Sequence, residues 1–278
     1  MSRALPGSRA LQQLVDPLRT RWQAVVALAL VTLVGLVAFG WPFLAGPEVG
    51  LAHGHDAPWL FALLTGLLAL VTLAEVAAGG LDAKTIAVLG VLAAMGGALR
   101  VLSAGTAGLE PMFFLLVLAG RVLGRGMGFV LGALAIVTGA FLTGGVGPWT
   151  PFQMLTAGWV GMGAAMLPRA SGRAERAMLA AYGLGAGLVY GAVMNLWFWP
   201  FMGATAPAGA GFVPGATVST NLGHYGVFYL ATSLGWDLPR GVLTATLVFL
   251  AGRPVLSTLR RAVRRAAFDA PVRFEEHP

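Results

Sequence analysis

Three groups of residues have the types and spacing to do chemistry. In His53-Gly54-His55-Asp56, two imidazoles and a carboxylate stand at a spacing that a divalent ion accepts. Arg100 and Glu110 lie close to the ends of apolar runs, where an isolated charge is costly and needs a reason. The third group carries no charge. GGVGPWTPFQM, residues 144–154, sets two prolines, Trp149, Phe152 and the single amide of Gln153 between two apolar runs. A plain connector needs polar residues to meet water, whereas this one reads as the wall of a pocket.

The histidine group sits in a short loop followed by Pro58, and its reading is a solvated outer loop with no metal assigned. Arg100 lies near one end of an apolar run and Glu110 follows a short loop, just before Pro111. Either the two pair with each other or Arg100 faces an anionic ligand, and the sequence supports both equally. Glu75, near a helix end, extends to the interface along its own stem.

Catalysis finds no footing. The only lysine, Lys84, follows Ala83 where a phosphate-binding loop needs glycine. None of His53, His55, His224 and His277 falls inside a predicted span, and no serine pairs with one in a recognisable motif, so a nucleophile lacks its base. No acidic pair is spaced for magnesium. The absence of cysteine excludes disulfides and thiolate chemistry. The chain reads as a non-enzyme that calls for no cofactor.

The elements that position these residues are membrane helices. Apolar residues make up 57% of the chain and charged residues 10%, against roughly 25% charged in a soluble domain. That predicts an all-α polytopic membrane protein. Spans are predicted at 22–44, 59–78, 84–103, 126–143, 152–168, 177–200 and 240–258, with a shorter eighth at 111–120. The run from Trp22 to Phe43 is too long for a signal-peptide core and lacks a cleavage site, so it is read as a retained helix.

The net charge of +7 does not point to nucleic acid, because the basic residues cluster between spans. Arg3, Arg9, Arg19 and Arg21 precede the first span, and Lys84, Arg121, Arg125, Arg169, Arg173 and Arg176 mark alternate connections. Arg253, Arg260, Arg261, Arg264 and Arg265 gather at the end of the last. The connections between (45–58, 104–110, 144–151 and 204–236) hold no Lys or Arg, which predicts both termini in the cytoplasm. The stretch 221–236 is too short and polar to be a ninth span and reads as an outer helix or re-entrant segment. Asp237 then reads as the N-cap of the last helix, with Pro239 in its first turn.

A second aromatic group, Asn195-Leu196-Trp197-Phe198-Trp199-Pro200-Phe201, ends a span at the same outer surface as Trp149. Interfacial rings taken singly are membrane anchors. Converging with Asn221, His224 and Tyr225, they describe an apolar pocket holding a few polar groups, the usual make-up of a small-molecule site. The candidate ligand contacts are Arg100, Glu110, Trp149, Phe152, Gln153, Asn195, Trp197, Trp199, Asn221, His224 and Tyr225. Gly90, Ala94 and Ala98 form a small-residue stripe suited to close helix approach, either inside the bundle or toward a partner. Gly124, Gly126, Gly128 and Gly132 mark a tight turn and another close contact.

From about residue 83 to 260 the chain resembles the substrate-specific S component of an energy-coupling factor vitamin transporter. The residues that carry the resemblance are FFLLVLAGRVLGRGMGFVLGALA, GGVGPWTPFQM with AGWVGMGAAMLP, NLWFWPF and YLATSLGWDLPRG. It implies a six-helix core, here 83–260, preceded by an additional two-helix hairpin at 22–82 and flanked by basic tails at 1–21 and 261–278. It further implies a bacterial inner-membrane subunit that binds a vitamin at the outer face and works with a transmembrane T component and two ATPase subunits. Gly90, Ala94 and Ala98 occupy the helix that meets the T component in that family, and connections 104–110, 144–151 and 204–236 would close the site. The turn GPWTPFQM is most similar to S components for cobalamin or related compounds, with His224 in reach of a corrin cobalt. Thiamine precursors, pantothenate and riboflavin stay open. The competing reading is a structural or metal-binding membrane protein without transport activity.

Overall fold

The computed structural model describes residues 6–44, 57–78, 83–103, 106–202 and 205–266, and among these no strand occurs. The chain order is α1 (Pro6–Leu44), α2 (Ala57–Ala78), α3 (Ala83–Leu102), α4 (Met112–Leu123), α5 (Arg125–Thr143), α6 (Thr150–Met166) and α7 (Gly172–Phe198). A 3₁₀ turn (Trp199–Phe201), α8 (Val218–Thr232) and α9 (Leu234–Ala266) complete it. Among the described residues, segments of α1, α5, α7 and α9 are long and apolar enough to cross a bilayer, while α4 is apolar but short. The protein is an all-α, multi-pass membrane protein.

The shortness of α4 has a physical resolution. Its 12 residues rise only about 18 Å, well under the ~30 Å of hydrocarbon. It is enclosed by α3, α5, α6, α7 and α9, and Phe113, Leu116, Val117, Leu118 and Ala119 are fully buried. A short helix is tolerated at membrane depth when its ends meet protein instead of lipid. The chain reverses into α5 through Gly124 alone, at φ 90°, a conformation that a side chain would strain. Beyond the turn α5 lies against α6 so closely that a Cβ on Gly132 would sit 2.2 Å from the Ala157 carbonyl oxygen.

The hairpin α1–α2 is bonded into the rest. Val31, Phe39, Leu64 and Leu68 share a buried cluster with Phe129, Phe152 and Leu155. The rings of Phe39 and Phe152 meet edge to face at 5.0 Å, and the Trp159 indole donates to the Thr32 hydroxyl at 3.3 Å. On α3, Leu89, Leu92 and Ala93 are buried, whereas Gly90, Ala94 and Ala98 lie on the exposed face.

One capping expectation is overturned. Asp237 is not an N-cap: its N–H already donates to the Ser233 carbonyl at 3.0 Å, so it sits inside the first turn of α9. Ser233 alone separates α8 from α9, and the Asp237 carboxylate turns inward to an arginine instead of capping the backbone. Pro239 accordingly falls past the first turn.

Candidate functional site

At one end of the bundle, α3, α6, α7, α8 and α9 surround an open cavity of about 550 Å³. Six of the expected residues line it: Arg100, Glu110, Trp149, Gln153, Asn195 and Trp197. Arg100 comes from the last turn of α3, next to Gly139 of α5. A Cβ at that glycine would lie 2.4 Å from the arginine Cδ, so the missing side chain makes room for the arginine stem. Its guanidinium donates to the Gln153 amide oxygen at 2.8 Å. The rings of Trp149 and Trp197 meet edge to face at 6.2 Å and form an aromatic wall. Asn195 donates to the Ser233 hydroxyl through its amide.

The sequence left the partner of Glu110 open, and the structure gives it to Arg240. The Arg240 Nε donates to the Glu110 carboxylate at 2.9 Å, and its Nη1 pairs with Asp237. The same guanidinium lies 5.5 Å from the centre of the Phe113 ring and 5.1 Å from that of Tyr190. Two carboxylates and two aromatic faces therefore compensate one buried cation, the condition under which a charge survives burial. Among the described residues Arg100 has no carboxylate partner and is held only by a neutral amide.

Arg240, Asp237 and Tyr190 were missed as site residues. Asp237 was assigned to backbone capping, and Arg240 was passed over as part of an ordinary helix start. A signal existed: Arg240 is the one arginine besides Arg100 that falls at the arginine-poor end of the predicted spans.

The other expected contacts do different work. Phe152 is buried against Phe39 and Trp197. Trp199 is fully buried and donates its indole N–H to the Ala210 carbonyl at 2.7 Å. Asn221 clasps one backbone unit, accepting from the Val213 N–H and donating to its carbonyl, both at 3.0 Å. His224 Nδ1 lies 2.8 Å from the Gly211 carbonyl oxygen, and Tyr225 donates to the Ala192 carbonyl. None of Phe152, Trp199, Asn221, His224 and Tyr225 lines the cavity; the last four fasten the loop before α8, and α8 itself, over the end of α7.

Among the described residues no group of three His, Cys, Asp or Glu could hold a metal. His53, His55 and Asp56 lie outside them, as does the side chain of Glu75. At the opposite end of the bundle, Arg121 and Arg260 both bond Glu175, at 3.0 and 2.7 Å. Arg121 also donates to the Leu167 and Pro168 carbonyls at 2.7 and 2.8 Å, closing the turn between α6 and α7.

Searches of curated proteins and of solved structures return no match. The family model for the substrate-specific component of ECF transporters matches residues 84–252, from the start of α3 into α9. That span holds the whole cavity and covers more than half of the chain: the protein belongs to the family of ECF transporter substrate-specific components.

Proposed function

We propose that the chain is the capture subunit for a compact, planar, anionic vitamin or precursor, which it binds in the cavity beside Arg100. One observation carries this reading. Arg100 presents a guanidinium with no counter-ion among the described residues to a cavity walled by Trp149 and Trp197, so a ligand with a carboxylate or phosphate and a flat ring meets a partner at each end. The volume of about 550 Å³ lies within the roughly 300–1,000 Å³ of small-molecule sites. A whole corrinoid, with its macrocycle and nucleotide loop, needs a larger space, and His224 lies outside the lining. Cobalamin would therefore require the cap over α7 to open.

In this reading residues 83–260 are the binding core and 22–82 a brace against it. The cavity faces outward, both termini are cytoplasmic, and the membrane is the bacterial inner one. The exposed stripe Gly90, Ala94 and Ala98 on α3 is the surface offered to the T component, which the ATPase subunits energise. Among the described residues the stripe stays exposed, and the main elements packed on α3 are α4, α5 and α9.

The test is uptake of labelled vitamins, cobalamin included, in strains deficient for each, with and without the ATPase subunits. Uptake of a compact anionic vitamin that depends on both chain and ATPases is the expected result. Uptake of cobalamin alone would reject the compact ligand, and no uptake of any vitamin would reject the transport role.

A further inference from the structure

At the arginine-rich end, α7 and α9 enclose a second open cavity of about 490 Å³ that the proposed transport cycle does not use. Arg173, Arg176, Arg253, Arg260 and Arg261 line it, and among the described residues Glu175 is its only carboxylate. That carboxylate is already bonded by Arg121 and Arg260. Arg176 is held at the edge, donating to the Phe249 carbonyl at 3.1 Å with its guanidinium 5.6 Å over the Phe249 ring. Arg173, Arg253 and Arg261 are exposed and have no bonded partner among the described residues. The Ser257 hydroxyl, also in the lining, donates to the Pro254 carbonyl at 2.8 Å.

Clustered cations in a concave site repel one another unless an anion sits between them. The geometry points to a phosphate diester, and we propose that this cavity binds the headgroup of an anionic phospholipid. The source is argued from what lies beside the arginines. Phe249, Arg253, Leu256 and Arg260 follow one face of α9 at helical spacing. One turn into the apolar segment from Arg253, Phe249 and Leu250 are 50% and 71% exposed. A headgroup held by the arginines therefore has a lipid-facing apolar path for its acyl chains directly next to it. A soluble anion would have no use for that path. Basic pockets between membrane helices bind lipid phosphates for the same reason, and Arg suits phosphate because its planar fork donates two bonds at once.

The experiment is native mass spectrometry of the full chain in detergent, with dioleoyl phosphatidylglycerol, dioleoyl phosphatidylcholine and inorganic phosphate as probes. Phosphatidylglycerol is expected to remain bound where phosphatidylcholine is lost, and equimolar inorganic phosphate is expected not to displace it. The triple variant R173A/R253A/R261A, which removes no side-chain bond among the described residues, should lower phosphatidylglycerol retention by roughly tenfold to a hundredfold. The corresponding triple lysine variant should fall between the two. Equal retention of both lipids, or an alanine variant that retains phosphatidylglycerol like the parent, overturns the proposal. Displacement by inorganic phosphate assigns the cavity to a soluble anion and overturns the lipid. A lysine variant with no loss reduces the cavity to a diffuse basic belt, which also overturns it. Deleting 267–278 should leave retention intact; its loss would place the lipid on the tail instead.

Discussion

Replacing Arg100 by Gln separates a binding role from a folding role. The guanidinium makes one hydrogen bond to protein, to the Gln153 amide oxygen at 2.8 Å, and no ion pair among the described residues. The folded chain therefore loses little, since a glutamine amide can still donate toward Gln153. A bound carboxylate or phosphate would lose a charge-assisted hydrogen bond, worth about 1.5–3 kcal/mol. By the affinity arithmetic, Kd rises roughly tenfold to 150-fold. Calorimetric titration with the vitamin found in the uptake screen measures this directly. The amide analogue of that vitamin, which lacks the negative charge, supplies the other half of the cycle. It should bind the parent weakly by a similar factor and lose little more on the variant. Arg240→Gln is the contrast: it strands Glu110 and Asp237 and should cost about 3–5 kcal/mol of stability, visible in thermal unfolding. If Arg100→Gln binds the acid as the parent does, or if the analogue loses equally on both proteins, Arg100 does not meet the anion.

Trp149→Ala should weaken binding by roughly 1–3 kcal/mol through lost apolar contact, with Trp197 left to carry the wall; unchanged affinity would make Trp149 a membrane anchor only. Asn221→Ala removes both bonds to Val213 and should cost the cap roughly 1–3 kcal/mol, read as faster amide exchange across 205–217 and faster ligand release. Protection unchanged in that loop would refute the clasp. Ala94→Leu, on the exposed face of α3, should abolish uptake while leaving binding by the purified chain intact; loss of binding as well would mean that the face serves the fold.

The sequence carried the architecture because membrane helices announce themselves by length and apolarity, and the alternation of arginines orders their ends. It also grouped Trp149, Gln153, Asn195 and Trp197, which line one cavity, since they stand on or beside uncharged turns where a water-facing connector would be polar. What it could not resolve was division of labour around that cavity. Asn221, His224 and Tyr225 are polar residues on an outer segment, and composition alone cannot tell a ligand contact from a clasp on a glycine- and proline-rich loop. That loop has few side chains with which to hold itself, so its neighbours must supply the bonds, and Asn221 does so through both atoms of its amide. The error at Asp237 has a similar origin. An aspartate before a proline looks like a helix start, and only the partner Arg240, three residues on, turns its carboxylate inward.

The pairing of Glu110 with Arg240 rather than Arg100 decides the chemistry of the cavity. Glu110 precedes α4 while Asp237 and Arg240 open α9, so their ion cluster ties the two elements together over the rings of Phe113 and Tyr190. That cluster uses both carboxylates in the lining. Were Glu110 turned to Arg100 instead, the cavity would hold a neutralised arginine at its edge and a buried Arg240 with one carboxylate, and no free cation for a ligand. The same two acids and two arginines thus give opposite sites according to which arginine is buried. Burial favours Arg240, because the cation removed from water needs its carboxylates most. Arg100, only partly buried and backed by a neutral amide, is the cation that can wait for an anion from outside.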